Sequence, residues 1–110
     1  MQRKETVSFQ ILKMNKKSNK YHLTLELLAL ASGDEAPKKH IALQFENHDE
    51  VFEIIERLKE KDPFNDKQQA TEFAIGLKLF SEVLIKNRNN PLFEELLPAF
   101  KVFMTKLKQS

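Results

Sequence analysis

Residues 40–58 read HIALQFENHDEVFEIIERL, and the period of the apolar residues changes partway through. In the first half Ile41, Leu43 and Phe45 alternate with Ala42, Gln44 and Glu46, the pattern of a strand with one buried face. In the second half Val51, Ile54, Ile55 and Leu58 fall at i, i+3, i+4 and i+7, with Glu50, Glu53, Glu56 and Lys59 opposite. That is the stripe of an amphipathic helix. The switch falls at Asn47, and Glu50 three residues later completes the signature of a capping box.

Alternation continues upstream. Tyr21, Leu23, Leu25 and Leu27 oppose His22, Thr24 and Glu26, and over 6–12 Val7, Phe9 and Ile11 oppose Ser8 and Gln10. The links at 15–19 and 32–37 are polar and rich in turn formers. These segments predict a three-stranded antiparallel meander with one dry face. Pairing Leu23 with Phe45 and Leu27 with Ile41 keeps all four inward. It sets His22 opposite Glu46 and His40 opposite Leu28.

Downstream, Asp62-Pro63 ends the first helix. Asp66 with Gln69 offers a second capping box, opening a helix from about Lys67 to Asn87. Ala70, Phe73, Ala74, Leu77, Phe80 and Leu84 form its main stripe, and Ile75, Leu79, Val83 and Ile85 a second one. Apolar residues on both sides predict a helix packed between two neighbours. Asn89-Asn90-Pro91 stops it, and Pro91 suits the first position of a new helix beginning near Leu92. Pro98 lacks an amide donor and clashes with the Glu94 carbonyl, so a kink or restart is expected there. The fold expected is α+β: a two-layer arrangement of a three-stranded antiparallel meander on three helices, the last kinked at Pro98. The 110 residues make one domain, 1–110, with 1–14 either an edge strand or a flexible arm.

The stretch 73–108, FAIGLKLFSEVLIKNRNNPLFEELLPAFKVFMTKLK, resembles the carboxyl-terminal half of a small family of uncharacterised bacterial domains. The resemblance follows the pattern GLKLFSEV, PLF, L.PAF, FM and LK. Residues 40–58 are similar to that family's middle, and the resemblance covers roughly residues 20–108. It implies no activity, cofactor or partner, because the family is a domain of unknown function.

Composition narrows the chemistry. Hydrophobic residues make up 41% and charged residues 31%, ordinary for a globular chain and too apolar for disorder. The absence of cysteine excludes disulfides and thiolate chemistry. No apolar core of a signal peptide and no run of ~18 apolar residues is present, so the cytoplasm is the expected compartment and no membrane the expected surroundings. The pairing above separates His22 and His40 by about six residues, roughly 20 Å, too far to share a metal ion. No metal and no cofactor are expected. The carboxylates Asp49, Glu50 and Glu53, and likewise Glu94 and Glu95, lie where helix starts welcome negative charge. Ser81, as a helical residue, is expected to bond the Leu77 carbonyl. A small-molecule enzyme is therefore the least favoured reading.

Charge is uneven. Residues 1–40 hold eight basic and four acidic residues, net +4, against net −2 for residues 41–110. A weak nucleic-acid-associated protein using Lys16, Lys17, Lys38 and Lys39 is the alternative reading, disfavoured because these lysines fall at opposite hairpin ends without stacking aromatics. Association with protein is favoured. Leu12, Leu28 and Leu30 are apolar on the face expected to be polar, and seven of nine Phe fall in the helical half. Phe73, Phe80 and Phe103 are expected in the core; Phe64, between Pro63 and Asn65, is expected at the surface or as a lid. The predicted function is a small non-catalytic accessory module. Its expected contacts, with a protein partner or a second copy, run through the sheet edge at 6–12, the outer face at Leu12, Leu28 and Leu30, or Phe64.

Overall fold

The computed structural model of the chain describes residues 17–110. They comprise strands β1 (Asn19–Glu26) and β2 (His40–Asn47), then helices α1 (Val51–Lys61), α2 (Lys67–Lys86) and α3 (Leu96–Gln109). A 3₁₀ turn, Pro91–Phe93, precedes α3. The residues group into two compact units that divide between Asp49 and Glu50, two residues past the change of period.

In the first unit β1 and β2 form an antiparallel pair with Tyr21 opposite Phe45, Leu23 opposite Leu43 and Leu25 opposite Ile41. Among the described residues the sheet has two strands where three were expected. The strand expected over 6–12 lies outside the described residues, as does Leu12. The observed register also differs from the expected one by two residues. An even shift leaves every side chain on its expected face, so alternation alone could not decide between them. What distinguishes the observed pairing is the alignment of two rings: Tyr21 and Phe45 stack with centroids 5.2 Å apart. The Tyr21 hydroxyl also donates to the Asp49 carbonyl at 3.4 Å.

The link between the strands is turned by Gly33, whose φ of 86° is a left-handed conformation open to glycine at little cost. Its N–H donates to the Leu30 carbonyl at 3.1 Å. Leu27 extends the ladder by one bond to the Lys39 carbonyl. Leu28 and Leu30 therefore lie in this link, beyond the end of β1, and not on the outer face of the sheet as expected. The face expected to be dry is only partly covered: Tyr21, Leu23 and Phe45 are half-buried, whereas Leu25 is 69% and Ile41 57% exposed.

In the second unit α1 buries Val51, Ile55 and Leu58. Its cap is Glu50, whose carboxylate accepts from the Phe52 N–H at 3.2 Å. Asn47, expected as the cap, instead accepts from the Asp49 N–H at 3.0 Å and is buried in the turn that closes the first unit. A local side-chain bond two residues on competes with the capping geometry and prevails. Asp62 ends α1 in a left-handed conformation, φ 49°, and returns its N–H to the Leu58 carbonyl at 2.9 Å.

The start of α2 follows expectation. The Asp66 carboxylate accepts from the N–H groups of Gln68 and Gln69 at 2.9 and 3.1 Å, and the Gln69 side chain reaches back to it. Ala70 and Ala74, fully buried, let α1 and α2 pack closely. Leu84 is the largest fully buried side chain. Phe80 and Phe103, expected in the core, are 42% and 41% exposed. Each instead belongs to a continuous run of edge-on and tilted rings, Phe64–Phe73–Phe103–Phe100–Phe80–Phe93, with centroids 5.3–6.4 Å apart. Ser81 is buried without the expected bond to Leu77; Thr71 and Thr105 make that kind of bond, to Lys67 and Lys101.

Of the kink or restart expected near Pro98, the structure shows a restart, two residues before it. Asn90 caps the 3₁₀ turn through the Leu92 N–H at 2.9 Å, with Pro91 at its first position. Helix α3 then begins at Leu96, so Pro98 sits in its first turn. There the missing N–H has no helical acceptor to lose, and no kink is needed.

Candidate functional site

The site begins with how α2 and α3 meet. Their backbones do not approach as those of α1 and α2 do; aromatic rings bridge them, Phe73 to Phe103 and Phe80 to Phe100. Bulky side chains at the crossing hold two helices apart, and beside the rings a cleft of about 610 Å³ is left open. Its floor consists of Leu84 and Ile85 from α2 with Leu97, Phe100 and Met104 from α3. The α3 residues are spaced 3 and 4 apart, so one helical face supplies all of them.

The rim is cationic. Arg88 follows the end of α2, and Lys101 and Lys108 stand two turns apart on α3. Among the described residues no carboxylate lines the cleft. Among the described residues none of these three cations is held in an ion pair, in contrast to Lys59 with Glu56, Lys67 with Asp62 and Lys86 with Glu82. Thr105, also on the wall, spends its hydroxyl on the Lys101 carbonyl. The arrangement has apolar surface and unopposed positive charge, and offers no nucleophile and base in hydrogen-bond reach. It can dock a molecule.

The residues singled out from sequence are dispersed. Leu28 is 82% exposed and Leu30 is also exposed, both in the hairpin link. Phe64 sits in the α1–α2 loop, part-exposed, its ring edge-on to Phe73 at 5.3 Å. It begins the ring series at the surface, with 43% of its area exposed. His22 lies opposite Gln44 and His40 opposite Glu26. The two histidines share a face four residues apart along the sheet, roughly 13 Å, closer than expected but still beyond one metal's reach. Among the described residues no group of three or more His, Cys, Asp or Glu side chains could hold a metal ion. Lys20, opposite Glu46, and Lys39, beyond the His40–Glu26 pair, occupy opposite hairpin ends. No helix among the described residues is long and apolar enough to cross a membrane.

Reading missed Ile85, Arg88, Lys101, Met104 and Lys108. Ile85 was placed on a second apolar stripe, and Lys101 and Lys108 fit equally well the favourable field at a helix carboxyl end. The spacing of Phe100 with Met104 and of Lys101 with Lys108 was the available signal, but it marks a face without saying what lies across from it.

Fold and cleft together define a small α+β protein, a β-hairpin unit followed by a three-helix unit that carries an open apolar groove. The chain belongs to the family DUF3861, a domain of unknown function with solved structure, whose model matches residues 19–109. The resemblance read from residues 20–108 is thereby established. A protein of unknown function from Pectobacterium atrosepticum, known from a crystal structure at 2.20 Å resolution, is similar, with 31% sequence identity and a TM-score of 0.74. The similarity covers 86% of this chain and 100% of that one. No curated protein matches the chain.

Proposed function

We propose that the protein is a small non-catalytic accessory module that binds another protein through the cleft between α2 and α3. The observation that supports this is Ile85, a large apolar side chain 58% exposed at the edge of an apolar floor. Burying such surface against a partner is favourable by roughly 25 cal/mol per Å². A partner recovered from the native cell with the wild type, and lost with Ile85→Ser plus Met104→Ser at unchanged helical content, is the expected result. Equal recovery by the folded variant contradicts the reading.

Self-association is the second reading, favoured by the exposure of Leu25 and Ile41 opposite each other on the hairpin. A two-fold copy would set this apolar pair against its equivalent. Sedimentation of the wild type beside Ile41→Lys tests it. A dimer abolished by the substitution supports the reading, and a wild type that stays monomeric at high concentration removes it.

A further inference from the structure

We infer that the cleft between α2 and α3 is built for an acidic amphipathic segment of the partner protein, a conclusion that rests on the docking reading above. Three features converge on this class of ligand. The floor accepts apolar side chains presented from one face of a segment, as in helix-in-groove recognition. Arg88, Lys101 and Lys108 stand around that floor without a carboxylate among them and without an ion pair elsewhere among the described residues. Residues 41–110, which include the cleft, carry a net charge of −2, so this concentration of positive charge is local to the cleft.

Electrostatics then sets specificity. A partner with Asp or Glu flanking its apolar anchors gains attraction at each rim position, and a basic segment meets repulsion at the same three places. The rim is exposed, so its contribution is screened within a Debye length of about 8–10 Å at moderate salt. The floor is insensitive to salt. Binding therefore has a salt-dependent part carried by the rim and a salt-independent part carried by Ile85, Phe100 and Met104. A single acyl chain with a carboxylate would match the charges, but Ile85 leaves the cleft open to solvent along one side, where an acyl chain would remain wet.

The test uses full-length protein as bait for a randomised peptide library displayed on phage. Peptides enriched in Asp and Glu beside Leu, Ile, Phe or Met are expected. Their affinity should fall about tenfold or more with Arg88→Glu plus Lys101→Glu, and also with Ile85→Ser, all exposed positions whose variants are expected to keep wild-type circular dichroism. Enriched peptides that are neutral or basic, yet still lost with Ile85→Ser, would overturn the acidic-partner inference and leave the docking reading standing. Peptides indifferent to both variants, or no enrichment while decanoate shifts the NMR signals of Ile85 and Met104, would overturn both.

Discussion

Phe80 and Phe100 meet edge-on between α2 and α3, their ring centroids 6.0 Å apart and their planes at 69°. The pair sets the distance between the two helices, and the cleft exists because that distance is large. Each ring also touches a second one, Phe80 to Phe93 and Phe100 to Phe103. Fold and binding surface are thus joined in the same side chains.

Truncating one of these rings should therefore cost both stability and binding. Phe100 is half-buried, so Phe100→Ala is expected to lose about 2–3 kcal/mol, below the range for a fully buried Phe. Phe100→Leu should recover part of it. Urea unfolding of the three proteins checks the order; equal midpoints would show that the rings do not hold α3 in place.

A second consequence separates Leu84 from Leu77, which sequence periodicity placed on the same stripe. Leu84 is 1% exposed and Leu77 half-buried. Leu84→Ala should cost about 2–5 kcal/mol and Leu77→Ala distinctly less. Thermal melts in which Leu77→Ala is the more damaging would contradict the assignment of the core.

The cap of α2 gives a third. Asp66→Ala removes the acceptor for two N–H groups and the partner of the Gln69 side chain. About 1 kcal/mol is expected, and Asp66→Asn should retain most of it. Equal loss for Ala and Asn would mean that charge, rather than the hydrogen bonds, carries the effect.

These elements differ in how far the sequence disclosed them. The Asp66–Gln69 start of α2 and the change of period near Asn47 depend on neighbours within four residues, and both were legible. Register was not, because pairing Leu23 with Leu43 or with Phe45 keeps the same faces inward. Asn47 and Glu50 compete for one helix start, and the winner depends on the turn through Asp49. Phe80 and Phe103 have helical spacing whether they face a core or a gap. The cleft needs α2 and α3 to stand apart, which follows from rings far apart in the chain.

The Tyr21–Phe45 stack yields a fourth expectation. A double-mutant cycle to Leu at both positions should give a coupling of about 0.2–1 kcal/mol, with faster amide exchange in β1 and β2. Zero coupling would favour the register in which Leu23 faces Phe45.

The docking surface itself is tested most directly by photo-crosslinking in the native cell. A benzophenone side chain replaces Ile85 in one strain and Thr24, on the polar face of the hairpin, in another. One defined protein adduct from position 85, absent from position 24 and suppressed by Arg88→Glu plus Lys101→Glu, is the predicted result. Adducts from position 24 with none from position 85 would contradict it.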